Sequence, residues 1–167
     1  MAMMLFCLAA LRLFNSPGVH PLFGQSQSDY IRELEQKGLL VLTSYRARRA
    51  FQVEEFEDEG SHYFIELEDG AVLYLSGQYL YEYEPIDDDS ELNQERRFPC
   101  AEFTIRRHRK EGFVVDILCG GTVLEPDMLA PPFSEADFQN DRAPEDGAVI
   151  SDLSYDQIKF ERAGGVG

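Results

Sequence analysis

Basic side chains are scarce in this chain. It carries 15 Lys and Arg against 31 Asp and Glu, a formal charge of −16 over 167 residues. Nucleic-acid affinity rests on cations that neutralise phosphates, and electrostatic docking on anionic lipid needs them too. The balance argues against both and suits a cationic partner or plain solubility. Cysteine is scarce as well. Cys7, Cys100 and Cys119 are odd in number and widely spaced, which does not make a disulfide framework. Free, buried thiols in a reducing compartment are expected, with a Cys100–Cys119 bridge between neighbouring strands possible but not indicated. No apolar run reaches the roughly 20 residues a membrane-crossing helix needs. The motifs of cofactor and catalytic chemistry are also missing. There is no Gly-x-Gly-x-x-Gly, no phosphate loop, no Gly-x-Ser-x-Gly elbow, no Cys-x-x-Cys pair and no His-Glu-x-x-His helix. No cofactor and no metal are expected, and the absence of a catalytic signature points away from an enzyme.

With 44% hydrophobic residues, the chain can build a core of its own. Its centre of organisation is the stretch from Phe51 to Tyr83. Glu59-Gly60 and Asp69-Gly70 cut it into three strand-like runs, and Asp-Gly between alternating apolar residues predicts a hairpin with a type I′ turn. Period-two alternation places Tyr63, Ile65 and Leu67 on one face and His62, Glu66 and Glu68 on the other, with Phe64 breaking the polar side. The same alternation puts Tyr79, Tyr81 and Tyr83 on one face. Such a ladder is either a row of half-buried rings or a stacking surface for a planar ligand or peptide.

Residues 1–14 are almost wholly apolar, interrupted by Arg12. They read as the remnant of a membrane helix that begins upstream, ahead of an interfacial anchor or a helix packed on the body or on a second subunit. Residues 15–27, with Pro17-Gly18, Pro21 and Gly24, form a linker. The body spans 28–125. It opens with an amphipathic helix over about Asp29 to Lys37, capped by Ser26 or Ser28 and stopped by Gly38. One long strand, or two joined by a bulge, follows from Leu39 to Phe56. It carries Arg46, Arg48 and Arg49, a candidate anion or carboxylate edge, or else cross-strand partners of nearby glutamates. Asp87 to Glu91 reads as a solvated acidic loop. Two further strands pair through a turn at Glu111-Gly112, with a bulge at Gly120-Gly121. The tail, 126–167, is stiffened by Pro126, Pro131 and Pro132 and wraps the body, with short helices capped by Ser134 and by the Ser154-x-x-Gln157 box.

The expected fold is mainly β (α+β): a small antiparallel β-barrel or curved sheet of about five to six strands, SH3-like or OB-like, with an N-terminal helix and short C-terminal helices. The favoured function is a non-enzymatic interaction domain with a protein partner. It is held at a membrane by residues 1–14, with its body on the cytoplasmic side. One alternative is a soluble small-ligand-binding barrel that uses the Tyr79, Tyr81 and Tyr83 face or the Arg46 to Arg49 edge. The other is an enzyme built on Cys100, which follows Arg96 and Arg97, together with His62 or His108. Those two histidines are read as solvent-facing. Oligomeric state is not legible.

Overall fold

A computed structural model describes residues 26–55, 57–85, 94–140 and 142–164. The apolar head, Cys7, His20, nearly all of the linker and the acidic run from Asp87 to Glu91 lie outside the described residues. The first helix, α1 (Gln27–Gln36), starts two residues earlier than the spacing predicts, because Ser26 is the cap and its Oγ accepts the Asp29 N–H at 3.2 Å. It ends in a Schellman motif: the Gly38 N–H reaches the Glu35 carbonyl and the Leu39 N–H reaches that of Leu34. Gly38 holds φ +64° there.

The long strand β1 (Leu40–Val53) has the expected bulge, at Ala47–Arg49. Its first half pairs with β4 (Cys100–His108) and its second half with β2 (Ser61–Leu67). β2 continues into β3 (Val72–Gly77) and β4 into β5 (Val114–Val123), all antiparallel. The β2–β3 turn is not type I′. Gly70 alone has positive φ, the Gly70 N–H bonds the Leu67 carbonyl, and the Leu67 N–H bonds the Ala71 carbonyl. That is a three-residue loop ending in a glycine bulge, and the Asp69 carboxylate fixes it by accepting the Ala71 N–H at 3.0 Å.

The tail adds two short strands. β6 (Leu129–Ala130) lies parallel to the end of β1, and β7 (Val149–Ile150) pairs with β3. Two helices, α2 (Glu135–Gln139) and α3 (Tyr155–Arg162), each begin with a complete capping box. The sheet therefore has seven strands in the order β5-β4-β1-β2-β3-β7, with β6 beside β1. It ends at β5 and β7 and is not closed, so the barrel expectation is corrected to an open sheet.

The packing is layered. Tyr63, Ile65, Leu73 and Leu75 from the β2–β3 half meet Phe103, Ile105 and Ile117 from the β4–β5 half in one core. On the opposite side of β2–β3, Phe64, Val72 and Tyr74 are covered by the tail through Ala130, Phe133, Tyr155 and Ile158. On the far side of β4–β5, α1 seats Ile31 and Leu34 on Leu40 and Val115. The β2–β3 hairpin is thus buried on both faces. This corrects the polar-face expectation for β2: His62 is 4% exposed.

Gly60 immediately precedes β2 at φ +105°, and a Cβ there would overlap the backbone of Gly77 and Gln78, where β3 ends. Gly38 has open space around it. Gly60→Ala is expected to cost more than about 3 kcal/mol, because strain adds to overlap with rigid backbone. Gly38→Ala should cost about 1–2 kcal/mol from the left-handed conformation alone. Urea unfolding of the two variants checks the ordering, and equal losses would contradict it.

Candidate functional site

The three tyrosines do not form a ladder. Gly77, at φ +143°, ends β3, and Gln78–Tyr83 is a 3-10 helix. Three residues per turn send alternate side chains in different directions. Tyr79 donates its hydroxyl to Asp146 at 2.9 Å. Tyr83 is buried and donates to the Ile117 carbonyl at 2.6 Å. Tyr81, 38% exposed, bonds Glu55. The shared stacking face is therefore absent.

The arginines also diverge, because the bulge turns β1 between them. Arg49 donates to Glu66 at 2.7 Å and to Asp156 at 2.9 Å, and its guanidinium lies 4.4 Å from the Tyr155 ring centre. It ties α3 to the sheet. Arg46 faces Glu102 at 3.6 Å with both side chains exposed. Arg48 is exposed at the bulge and has no ion pair among the described residues.

The histidines are both buried, which corrects the solvent-facing expectation, and they do not meet. His62 on β2 places Nδ1 at 2.7 Å from the Tyr74 hydroxyl and Nε2 at 2.9 Å from Glu59. Burial lowers its pKa while Glu59 opposes that shift. His108, at the far end of β4, stacks on Phe113 and accepts the Glu111 N–H. Among the described residues no group of His, Cys, Asp and Glu is placed to hold a metal. Cys100 is 1% exposed, and its Sγ donates to the Glu102 carbonyl at 3.2 Å. Neither histidine contacts it.

These polar groups share one role. The carboxylates of flanking loops satisfy the buried hydroxyls, ring and backbone of the central hairpin. Glu84 accepts from Ser61 at 2.7 Å and from Tyr63, and Asp146 accepts the Ser76 N–H at 2.9 Å as well as the Tyr79 hydroxyl. Burial pushes the phenols of Tyr63 and Tyr74 well above the usual range.

Among the described residues, one sheet surface is left uncovered. Antiparallel pairing sets Leu42, Arg106 and Asp116 in one row, Ser44, Thr104 and Leu118 in the next, and Arg46, Glu102 and Gly120 in a third, all on the face that α1 covers only at its lower end. Asp116 is buried beside Arg106, which donates to it at 2.6 Å and lies 3.9 Å from Glu35 of α1. Beyond that pair, Leu42 is 56% and Leu118 45% exposed. The Ser44–Thr104 hydroxyl contact at 2.8 Å and the Arg46–Glu102 pair sit beside them in solvent. A second surface is a cleft of about 340 Å³ under the tail. Its floor includes Phe64, Phe133 and Ile158, and Arg142, Arg162 and Asp137 stand at its rim. Arg162 is spent on structure: it stacks on Phe133 at 4.1 Å and donates to the Pro131 carbonyl at 2.7 Å.

The sequence reading missed the open face because its rows come from three strands. Leu42 and Leu118 are 76 residues apart, and only the register joins them. No helix among the described residues is long and apolar enough to cross a membrane. No protein-family model, no curated protein and no solved structure matches the chain.

Asp146 gives the site region a titration. Burial is the largest cause and raises its pKa to about 6, against the Ser76 N–H and the Tyr79 hydroxyl, which lower it. The folded value lies above the unfolded one of about 3.9, so the fold favours the protonated form. That contribution is full below about pH 4 and is lost as pH rises through about 6. Asp146→Asn keeps an acceptor for both donors and cannot ionise. Its stability relative to wild type is expected to rise between about pH 4 and about pH 7. Urea titrations at the two pH values check this, and a constant difference would overturn it.

Proposed function

We propose that the chain is a non-enzymatic interaction domain that docks a protein partner on the open face of β1, β4 and β5. Residues 1–14 tether it to a membrane, with the body on the cytoplasmic side. The observation that carries the docking part is the pair of exposed leucines, Leu42 and Leu118, on a sheet face where α1 covers only one end. Strand spacing separates them by roughly 12 Å: two strands across and one residue pair along. A complementary surface would present two apolar side chains at that distance. The exposed Arg46–Glu102 pair beside them can exchange partners at low cost, since a surface ion pair is worth only about 0–1 kcal/mol. The rest of the fold supports this choice of surface. Both faces of the β2–β3 hairpin are covered by the chain's own core and tail, and the buried polar groups there are bonded to one another.

Two outcomes are expected. In native extracts, a photoreactive residue at Leu42 should give a discrete cross-linked product that Leu118→Glu abolishes. The same probe at Leu129, exposed elsewhere on β6, should not give it. An identical product from both positions would place docking off this face. For the tether, the full chain should float with membranes and a chain lacking residues 1–24 should stay soluble. If both stay soluble, the tether is wrong and the docking face stands or falls on the cross-linking alone.

A further inference from the structure

The uncovered face of β1, β4 and β5 lies beside the point where the described residues begin. Ser26 caps α1, and the next residue, Gln27, donates its side-chain N–H to the Val115 carbonyl of β5 at 3.4 Å. Leu118 is three residues further along β5, roughly 10 Å away at the usual strand rise. Residues 15–25 join this point to the apolar head, and fully extended they span at most about 40 Å. The face is therefore well within reach of residues 1–14. A tether of that length holds an attached segment at an effective concentration on the order of millimolar.

Charge separates the occupants this face could take. Arg12 is the one charged side chain in residues 1–14, so the chain's −16 becomes −17 for everything else. A second copy would bring a body of like charge against the face, which opposes close approach. The head instead brings Leu5, Phe6, Leu8, Leu11 and Leu13 with a single positive charge. Leu42 and Leu118 supply apolar contacts for it. The exposed carboxylates of Glu102 and Glu35, at the upper and lower ends of the face, supply acceptors for Arg12. Glu102 is held only by a 3.6 Å contact with Arg46 in solvent, which yields to a new partner at little cost.

We propose that residues 1–14 are the internal occupant of this face. Away from a membrane they fold back onto Leu42 and Leu118 and exclude the partner; insertion into a bilayer withdraws them. This regulation rests on the reading of the face as a docking surface and of the head as a tether. One apolar segment is not buried in two places at once, so the face and the bilayer compete for it. Weakening its hold on the face raises its apparent affinity for the bilayer. The partner then meets an uncovered face only where the protein is membrane-bound.

The experiment uses the full chain, purified without lipid, with a benzophenone amino acid at position 42 or, as a control, at position 129, which is exposed on β6. After irradiation and digestion, position 42 should be joined within one chain to a peptide from residues 1–14, and position 129 should not. Phosphatidylcholine vesicles carry no net charge and so do not repel the acidic body. They should lower the yield from position 42 by at least about threefold, and Leu118→Glu should tighten vesicle binding of the probe-free chain by at least about threefold. No link from position 42 to residues 1–14, or the same link from position 129, would overturn the proposal. So would a link that vesicles leave unchanged, which would make the head a fixed part of the fold, or a covalent dimer, which would make a second copy the occupant. The docking reading fails separately. In native extracts, adding Leu8→Asp and Leu11→Asp to the full chain should raise the yield of the partner product from position 42. An unchanged yield sinks the exclusion of the partner; no product from either chain sinks the docking reading, while the intrachain link still decides where the head sits.

Discussion

The β2–β3 hairpin is buried on both faces, and the rest of the molecule answers that constraint. A hairpin covered on one side can send its polar side chains to water. This one cannot, because the tail lies on Phe64, Val72 and Tyr74 while the β4–β5 half lies on Tyr63, Ile65 and Leu73. A buried donor without a partner costs about 1–3 kcal/mol. His62, Tyr63, Tyr74, Ser61 and the Ser76 N–H therefore each require a partner; His62 and Tyr74 bond each other, and the other partners come from outside the strands. Glu59 comes from the β1–β2 loop, Glu84 from the end of the 3-10 helix and Asp146 from the tail. Each irregular segment is thereby latched to the sheet by one carboxylate.

This recasts the acidity of the chain. A charge of −16 reads at first as a statement about partners. Several of the carboxylates behind it work as internal acceptors instead. Asp127 takes bonds from Tyr155 and Lys159, Asp137 caps α2 and holds Ser134, and Glu66 and Asp156 share Arg49. The arginines show the complementary economy. Arg49, Arg106 and Arg107 each fasten two elements: Arg49 joins β1 to α3, Arg106 joins β4 to β5, and Arg107 joins β4 to the tail through the Gly147 carbonyl at 2.7 Å. Arg46 meets Glu102 of β4 only in solvent, and Arg48 has no ion pair among the described residues.

What was legible in the sequence follows from range. The cap at Ser26, one of two serines the spacing offers, those at Ser134 and Ser154, the stop at Gly38 and the bulge at Gly120–Gly121 depend on residues a few positions apart and appear where the spacing puts them, while the bulge that was one reading of the first strand finds its position, Ala47–Arg49, only in the structure. Strands β1 to β5 were readable from alternation for the same reason. The errors arise where a distant segment decides. His62 looked solvent-facing because nothing local announces that Phe133 and Tyr74 will cover it. β6 and β7 are two residues each and exist only because β1 and β3 offer edges. The tyrosine run from Tyr79 to Tyr83 has strand composition, yet Gly77 breaks the extended backbone before it and Asp146, 67 residues away, anchors its first ring. The open sheet was unpredictable in the same way, since closure depends on whether β5 meets β3, and the tail strand β7 takes the β3 edge instead.

These placements divide the molecule into a fixed half and an available half. In the β2–β3 half, burial and latching leave little that can change without unfolding. On the β1–β4–β5 side, the outer face leaves Leu42 and Leu118 exposed among the described residues. Leu118 and Cys119 are adjacent on β5 and point to opposite faces of it, the one to solvent and the other to the core. A shift on one face of β5 therefore reaches the other, because the three or four residues between the bulge and the ion pair Arg106–Asp116 leave the strand no slack.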